Sequence, residues 1–156
     1  MSIELNQIAP EFKLFNTEKK EINLSDYRGK NVVLLFFPLA FTGTCTKELC
    51  SVRDTFSSYN KLNAVVLGIS VDSLFTLAKY KEEQQLNFDL LSDFNKEAAT
   101  AYNSLYTDFI FGMKGVSKRS AFVIDKEGSV SYSEVLENAS DLPNFKAITI
   151  CLEKLN

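Results

Sequence analysis

Along the chain, short runs that are apolar throughout alternate with longer stretches in which apolar residues return every three or four positions. Three runs are of the first kind: NVVLLFF (31–37), AVVLGIS (64–70) and SAFVID (120–125). Each is rich in β-branched or aromatic residues and bounded by turn residues, which predicts strands buried on both faces. Such strands need helices on either side of their sheet. EFKLFNT and EINLSDY, separated by EKK, predict an entry hairpin, and KEGSV turns the third run into a hairpin with SVSYSEV (129–135).

The periodic stretches predict the helices. After Thr44, the residues Leu49, Val52, Phe56, Tyr59 and Leu62 form one stripe, with Lys47, Arg53 and Ser57 off it. Asp72 or Ser73 can cap a second helix running to about Gln85, and Asp93 or Asn95 a third around KEAATAY. SDLPNFKAITICLEKL opens with a capping residue and an early proline, and sets Leu142, Phe145, Ile148, Leu152 and Leu155 on one face. The order ββ-β-α-β-α-β-α-β-β-α predicts an α/β fold with a central mixed sheet between helices.

Composition narrows this picture. A chain of 156 residues fits one domain, and no repeat, linker or low-complexity tract divides 1–156. The net charge of −3 gives no electrostatic case for nucleic acid or an anionic membrane. The longest apolar run, VVLLFFPLAF (32–41), is about half a bilayer span. MSIELNQIAP lacks the layout of a signal peptide, so the expected location is the cytoplasm, where thiols stay reduced. Three cysteines and no histidine are too few for a four-ligand zinc site, and no metal or cofactor is expected.

The chemistry then concentrates in FFPLAFTGTCTKELC (36–50). The first buried run ends at Pro38 and the long helix begins within FTGTC, so Cys45 falls at the first turn. Unpaired backbone N–H groups there favour an anion. With no imidazole available, other positive potential must come from Lys or Arg. Arg119 directly precedes SAFVID and reaches the end of the first run only if its strand runs antiparallel or a loop crosses over. An ordinary thiol is about 3% ionised at neutral pH, and a shift to a pKa of ~6 yields roughly thirtyfold more nucleophile, about 2 kcal/mol. Efficient catalysis needs more, in the form of donors for the leaving group's developing charge. The Thr42 hydroxyl and the N–H groups of Thr44 and Cys45 are candidates, with Phe37, Pro38, Leu39 and Phe41 excluding water.

PLAFTGTC sets Pro38, Thr42 and Cys45 in a P-x-x-x-T-x-x-C pattern, and through it the chain resembles the peroxiredoxins. APEFKLFN, LSDYRGKNVVLLFFP, LGISVDS, LLSDFNKEAATAY and RSAFVIDKEG follow the family's landmarks in order. The resemblance is strongest to the bacterioferritin-comigratory-protein (thiol peroxidase Q) and alkyl hydroperoxide reductase E-like groups. It implies a thioredoxin-like fold and a peroxidase acting on hydrogen peroxide and small organic hydroperoxides, with Cys45 as the peroxidatic thiol. It further implies that Arg119 binds the thiolate from an antiparallel strand, that Thr42 hydrogen-bonds thiolate and peroxide, and that Pro38 shields them. Glu48 matches a position where relatives often carry a pocket-orienting Glu or Gln.

Cys50 follows Cys45 by five residues. On an intact helix that spacing separates the Cα atoms by ~8.6 Å, beyond the roughly 7 Å a disulfide tolerates. If Cys50 resolves a Cys45 sulfenic acid, the first turns must open, and Gly43 among Thr42, Thr44 and Thr46 makes them weak. A dithiol such as thioredoxin would then restore both thiols. The alternative is a one-cysteine peroxidase with an external thiol reductant and a structural Cys50. A thioredoxin-type oxidoreductase is disfavoured because position 48 is Glu, not the second Cys of Cys-x-x-Cys. A cysteine phosphatase fails because the Cys-x5-Arg position holds Ser51. A redox-sensing binding protein stays open, as do monomer and homodimer. Cys151 reads as core, Arg53 and Asp54 as charges paired with their surroundings and not catalytic, and YTDFIFGM (106–113) as core, contact patch or an apolar wall of the pocket.

Overall fold

The computed structural model describes residues 3–156. Strands β1 (Lys13–Asn16) and β2 (Glu21–Asn23) form the entry hairpin. The second strand stops earlier than its pattern predicts. The Asp26 carboxylate accepts from the Asn23 N–H at 3.1 Å, and Leu24–Tyr27 coils into a 3-10 turn that buries Leu24. The three apolar runs become β3 (Asn31–Phe36), β4 (Ala64–Ser70) and β6 (Ser120–Ile124). Strand β5 (Asp89–Ser92) lies between the third and fourth helices, and β7 (Val130–Val135) completes the closing hairpin.

The sheet runs in the order β2-β1-β5-β4-β3-β6-β7. Strands β3, β4 and β5 are parallel, while β6 pairs antiparallel with β3. Among the described residues four α-helices connect strands, α1 (Gly43–Asp54), α2 (Phe56–Lys61), α3 (Leu74–Gln84) and α4 (Glu97–Ala101), and a fifth, α5 (Phe145–Leu155), follows β7. The crossovers β3-α1-α2-β4 and β4-α3-β5 step the same way across the sheet, so their shared handedness puts these helices on one face. There Val33, Leu35 and Phe37 pack with Leu49, Val52, Tyr59, Leu77 and Tyr80, and with Ile148 and Leu152 of α5. The alternate residues Val32, Leu34 and Phe36 meet Phe12, Leu24, Ala98, Ala99 and Tyr102 on the opposite face. Two-sided burial of β3 therefore takes the predicted form, with α4 and the N-terminal segment covering the second face.

Where helices differ from their patterns, side-chain oxygens decide. The stripe from Leu49 to Leu62 is one pattern but two helices, because the backbone leaves helical geometry at Thr55 (φ −113°, ψ 18°), whose hydroxyl donates to the Ser51 carbonyl at 3.0 Å. Ser73, not Asp72, caps α3, accepting from the Thr76 N–H at 3.1 Å. Asp93 caps α4 from a distance, accepting from Ala98 and Ala99 N–H groups at 3.0 and 2.7 Å. The last helix starts later than its pattern, at Phe145, because Asn144 caps it by accepting from the Ala147 N–H at 3.0 Å. Pro143 therefore lies outside that helix.

A candidate peroxide-reducing site at the start of α1

The site forms where β3 ends. Phe37 continues the sheet by donating its N–H to the Ile69 carbonyl at 2.9 Å, and Pro38 is buried behind it. The Ala40 N–H donates to Asp72 Oδ2 at 2.8 Å, and the Ser70 hydroxyl donates to the same oxygen at 2.7 Å. These bonds fix a turn in which Phe41 adopts φ +66° and lays its ring 5.0 Å from that of Tyr80. Thr42 is the N-cap residue of α1, which places Cys45 third in its first turn. Gly43, Thr44 and Cys45 thus present N–H groups with no partner inside the helix.

Antiparallel pairing of β6 carries Arg119 to the same place. Ser120 pairs with Phe36, the last residue of β3, so the residue before it emerges beside Pro38 and Cys45. The Arg119 guanidinium, 1% exposed, donates from Nη2 to Cys45 Sγ at 3.3 Å and from Nη1 to Glu48 Oε1 at 2.6 Å. Its Nε and Nη2 also donate to the Ala139 carbonyl at 3.2 and 2.9 Å. Four bonds on one rigid fork leave the guanidinium one orientation. Cys45 is 1% exposed and Glu48 fully buried. Burial pushes the Glu48 carboxyl up to about 7, with Arg119 pulling the other way. Its Oε2 has no protein partner.

A cavity of about 590 Å³ opens onto Cys45, walled by Pro38, Leu39, Thr42, Arg119, Phe109, Phe111 and Met113. Thr42 lines this cavity, but its hydroxyl donates to the Leu39 carbonyl at 2.8 Å and not to the sulfur. The segment YTDFIFGM supplies the apolar wall, with Tyr106 and Phe109 stacked at 5.2 Å and Phe111 92% exposed at φ +58°. All three cysteines are free thiols. Cys50 lies on the intact α1 with its thiol donating to Gln84 Oε1 at 3.4 Å. Cys151 sits half-buried in α5 against the Ser131 carbonyl, 3.6 Å away, and burial raises its pKa. Arg53 pairs with Asp54 at 2.9 Å, away from the cavity. The sequence carried no signal for the Ala139 carbonyl, and LGISVDS gave no hint that Asp72 holds the Ala40 amide.

The arrangement is a thiol in a dry niche, polarised by a guanidinium and a helix start, beside a cavity for a small electrophile. The AhpC/TSA family profile matches residues 5–133. The chain is a member of the AhpC/TSA family, the peroxiredoxins. Peroxiredoxin Bcp of Bacillus subtilis is 40% identical over 129 residues, covering 82% of each chain. The chloroplastic 2-cysteine peroxiredoxin of Chattonella marina is 39% identical over 146 residues, 86% of this chain and 72% of that one. Among solved structures, Peroxidoxin BcpB of Mycobacterium tuberculosis superposes with a TM-score of 0.87 at 27% identity, covering 99% of both chains. This peroxiredoxin is thus a thiol-dependent peroxidase with a thioredoxin-like fold. Among the described residues no helix is long and apolar enough to cross a membrane.

Proposed function

We propose that Cys45 is the peroxidatic thiol and that Cys50 resolves it. The observation that carries the reading is the 3.3 Å bond from Arg119 to Cys45 inside a buried niche at a helix start. In the first step the Cys45 thiolate attacks the distal oxygen of a hydroperoxide. An S–O bond forms, the O–O bond breaks, and the leaving alkoxide or hydroxide takes a proton, giving a sulfenic acid. Arg119 and the free N–H groups of the first turn stabilise charge on sulfur and on the reacting oxygens. The Thr42 hydroxyl turns from the Leu39 carbonyl to bind the peroxide, Pro38 keeps water out, and Glu48 holds Arg119 in orientation. Hydrogen peroxide and small organic hydroperoxides fit the cavity.

The sulfenic acid then condenses with the Cys50 thiol, forming a disulfide and releasing water. Because an intact α1 holds the two Cα atoms ~8.6 Å apart, its first turns must open. A dithiol such as thioredoxin reduces the disulfide by exchange, a role that suits a cytoplasmic enzyme working as a monomer or homodimer. A second reading follows from the Cys50–Gln84 bond: Cys50 stays in place and an external thiol reduces Cys45. Stopped-flow peroxide consumption with thioredoxin decides between them. In the proposed cycle Cys45→Ser abolishes turnover and Cys50→Ser stops it after one equivalent. Full turnover of Cys50→Ser with thioredoxin would remove the resolving role, and activity in Cys45→Ser would remove the whole scheme.

A further inference from the structure

Two faces of α1 are held by different partners. One presents Cys45 and Glu48 to Arg119. The other presents Thr46, Cys50 and Arg53, at the i, i+4 and i+7 positions of a helical stripe, to α3. The Thr46 and Tyr80 hydroxyls share a hydrogen bond of 2.9 Å. The Cys50 thiol donates to Gln84 Oε1 at 3.4 Å, and Arg53 Nη1 donates to the Gln84 backbone carbonyl at 2.6 Å. That carbonyl is free to accept because α3 ends there, Gln85 taking a left-handed conformation at φ 52°. Tyr80 is fully buried, its ring against Phe41 and Phe37, and burial pushes its phenol up to about 12, so it stays protonated.

These contacts define what must break before the two sulfurs can meet. Thr46 lies between Cys45 and Cys50, so unwinding the first turns separates Thr46 from Tyr80. Cys50 cannot attack while its thiol is donated to Gln84. Arg53, at the far end, can keep its grip throughout. We propose that Tyr80 and Gln84 form a latch on α1 that sets how fast the Cys45 sulfenic acid is resolved, without taking part in the oxidation of Cys45. The latch thereby sets the partition between two fates of that sulfenic acid. In one, Cys45–SOH and Cys50–SH give the disulfide and water. In the other, the sulfenate takes oxygen from a second hydroperoxide, giving sulfinate and the corresponding alcohol or water. This inference rests on the reading of Cys50 as the resolving thiol.

Tyr80→Phe removes one hydroxyl and keeps the ring packing. Gln84→Met removes the acceptor and keeps both chain length and the backbone carbonyl that Arg53 uses. The net worth of a single hydrogen bond corresponds to about fivefold in the opening equilibrium. Quench-flow with intact-mass detection, after one equivalent of hydrogen peroxide, follows loss of the Cys45 thiol and growth of the disulfide separately. Each variant is expected to form the disulfide about fivefold faster, with the first oxidation unchanged and a smaller sulfinate fraction under excess peroxide. In a Cys50→Ser background the same substitutions should leave sulfinate formation unchanged. Disulfide formation at the wild-type rate or slower in both variants overturns the latch, as does a change in the first oxidation step. A wild-type protein that forms no 45–50 disulfide overturns the resolving role and the latch with it. A wild-type disulfide with unresponsive variants sinks the latch alone.

Discussion

Replacing Arg119 by Met should remove most of the peroxidase activity, and the structure sets the scale. The guanidinium makes one bond to Cys45 Sγ at 3.3 Å, one to Glu48 at 2.6 Å and two to the Ala139 carbonyl. A hydrogen bond to a charged group is worth about 1.5–3 kcal/mol, so losing the thiolate's donor alone should lower kcat/KM for hydrogen peroxide about 10- to 150-fold. Stability responds separately, because the substitution leaves Glu48 fully buried without its partner. Breaking a buried pair on one side can cost about 3–5 kcal/mol. The loss here should be smaller at neutral pH, since the Glu48 carboxyl titrates near 7 and can stay protonated. Arg119→Met combined with Glu48→Leu removes both members of the pair and should recover stability without recovering activity. Peroxide consumption and urea midpoints on the same three proteins separate the effects. A folded Arg119→Met protein within twofold of wild-type kcat/KM would refute the assignment, as would recovery of activity in the double variant.

Three other outcomes follow from the same geometry. Glu48 should link stability to pH: its folded value of about 7 exceeds the ordinary 4.5, so the native state retains its proton longer. The resulting stabilisation is complete below about pH 4.5 and is lost as pH rises through 7, amounting to about 3 kcal/mol. Urea midpoints should therefore show Glu48→Gln gaining on wild type between pH 5 and 8, whereas parallel curves would contradict the shift. Thr42→Val should lower peroxidase kcat/KM about 10²-fold, the scale for loss of one transition-state donor, and Thr42→Ser should retain most of it. Steady-state kinetics that cannot tell Val from Ser would remove the hydroxyl's role. Asp93→Ala strips the carboxylate from the Ala98 and Ala99 N–H groups and should cost about 2 kcal/mol. Calorimetry should show a drop of roughly 4–8 °C in Tm, and an unchanged Tm would deny Asp93 its capping role.

How much of this was legible in the sequence varies by residue. The three apolar runs identify β3, β4 and β6 because two-sided burial leaves no room for polar alternation. Cys45 could be placed at a helix start from the change of period after Pro38. What pattern alone left open was the direction of β6, and with it the reach of Arg119. Strand direction depends on pairing across the sheet, on which a local run of apolar residues is silent. The break at Thr55 escaped because an apolar stripe continues through it, while the change of backbone dihedrals at that one residue (φ −113°, ψ 18°) leaves no mark on the pattern. The Ala139 carbonyl was invisible for a simpler reason: every residue has one, and only the folded loop aims it at Arg119. Thr42 was legible as a donor into the pocket, but not its bond to the Leu39 carbonyl.

The most direct test compares two thiols within one molecule. Cys45 has Arg119 and a helix start beside it, whereas Cys151 lies half-buried against the Ser131 carbonyl with its pKa raised. Substoichiometric hydrogen peroxide, followed by rapid quenching and peptide mass spectrometry, reads the rate at each sulfur in the Cys50→Ser background. Cys45 should be oxidised with a second-order rate constant above ~10⁴ M⁻¹s⁻¹, leaving Cys151 untouched. Equal labelling of the two sulfurs, at the slow rate of an ordinary thiol, would contradict the claim that this niche makes a peroxidatic cysteine.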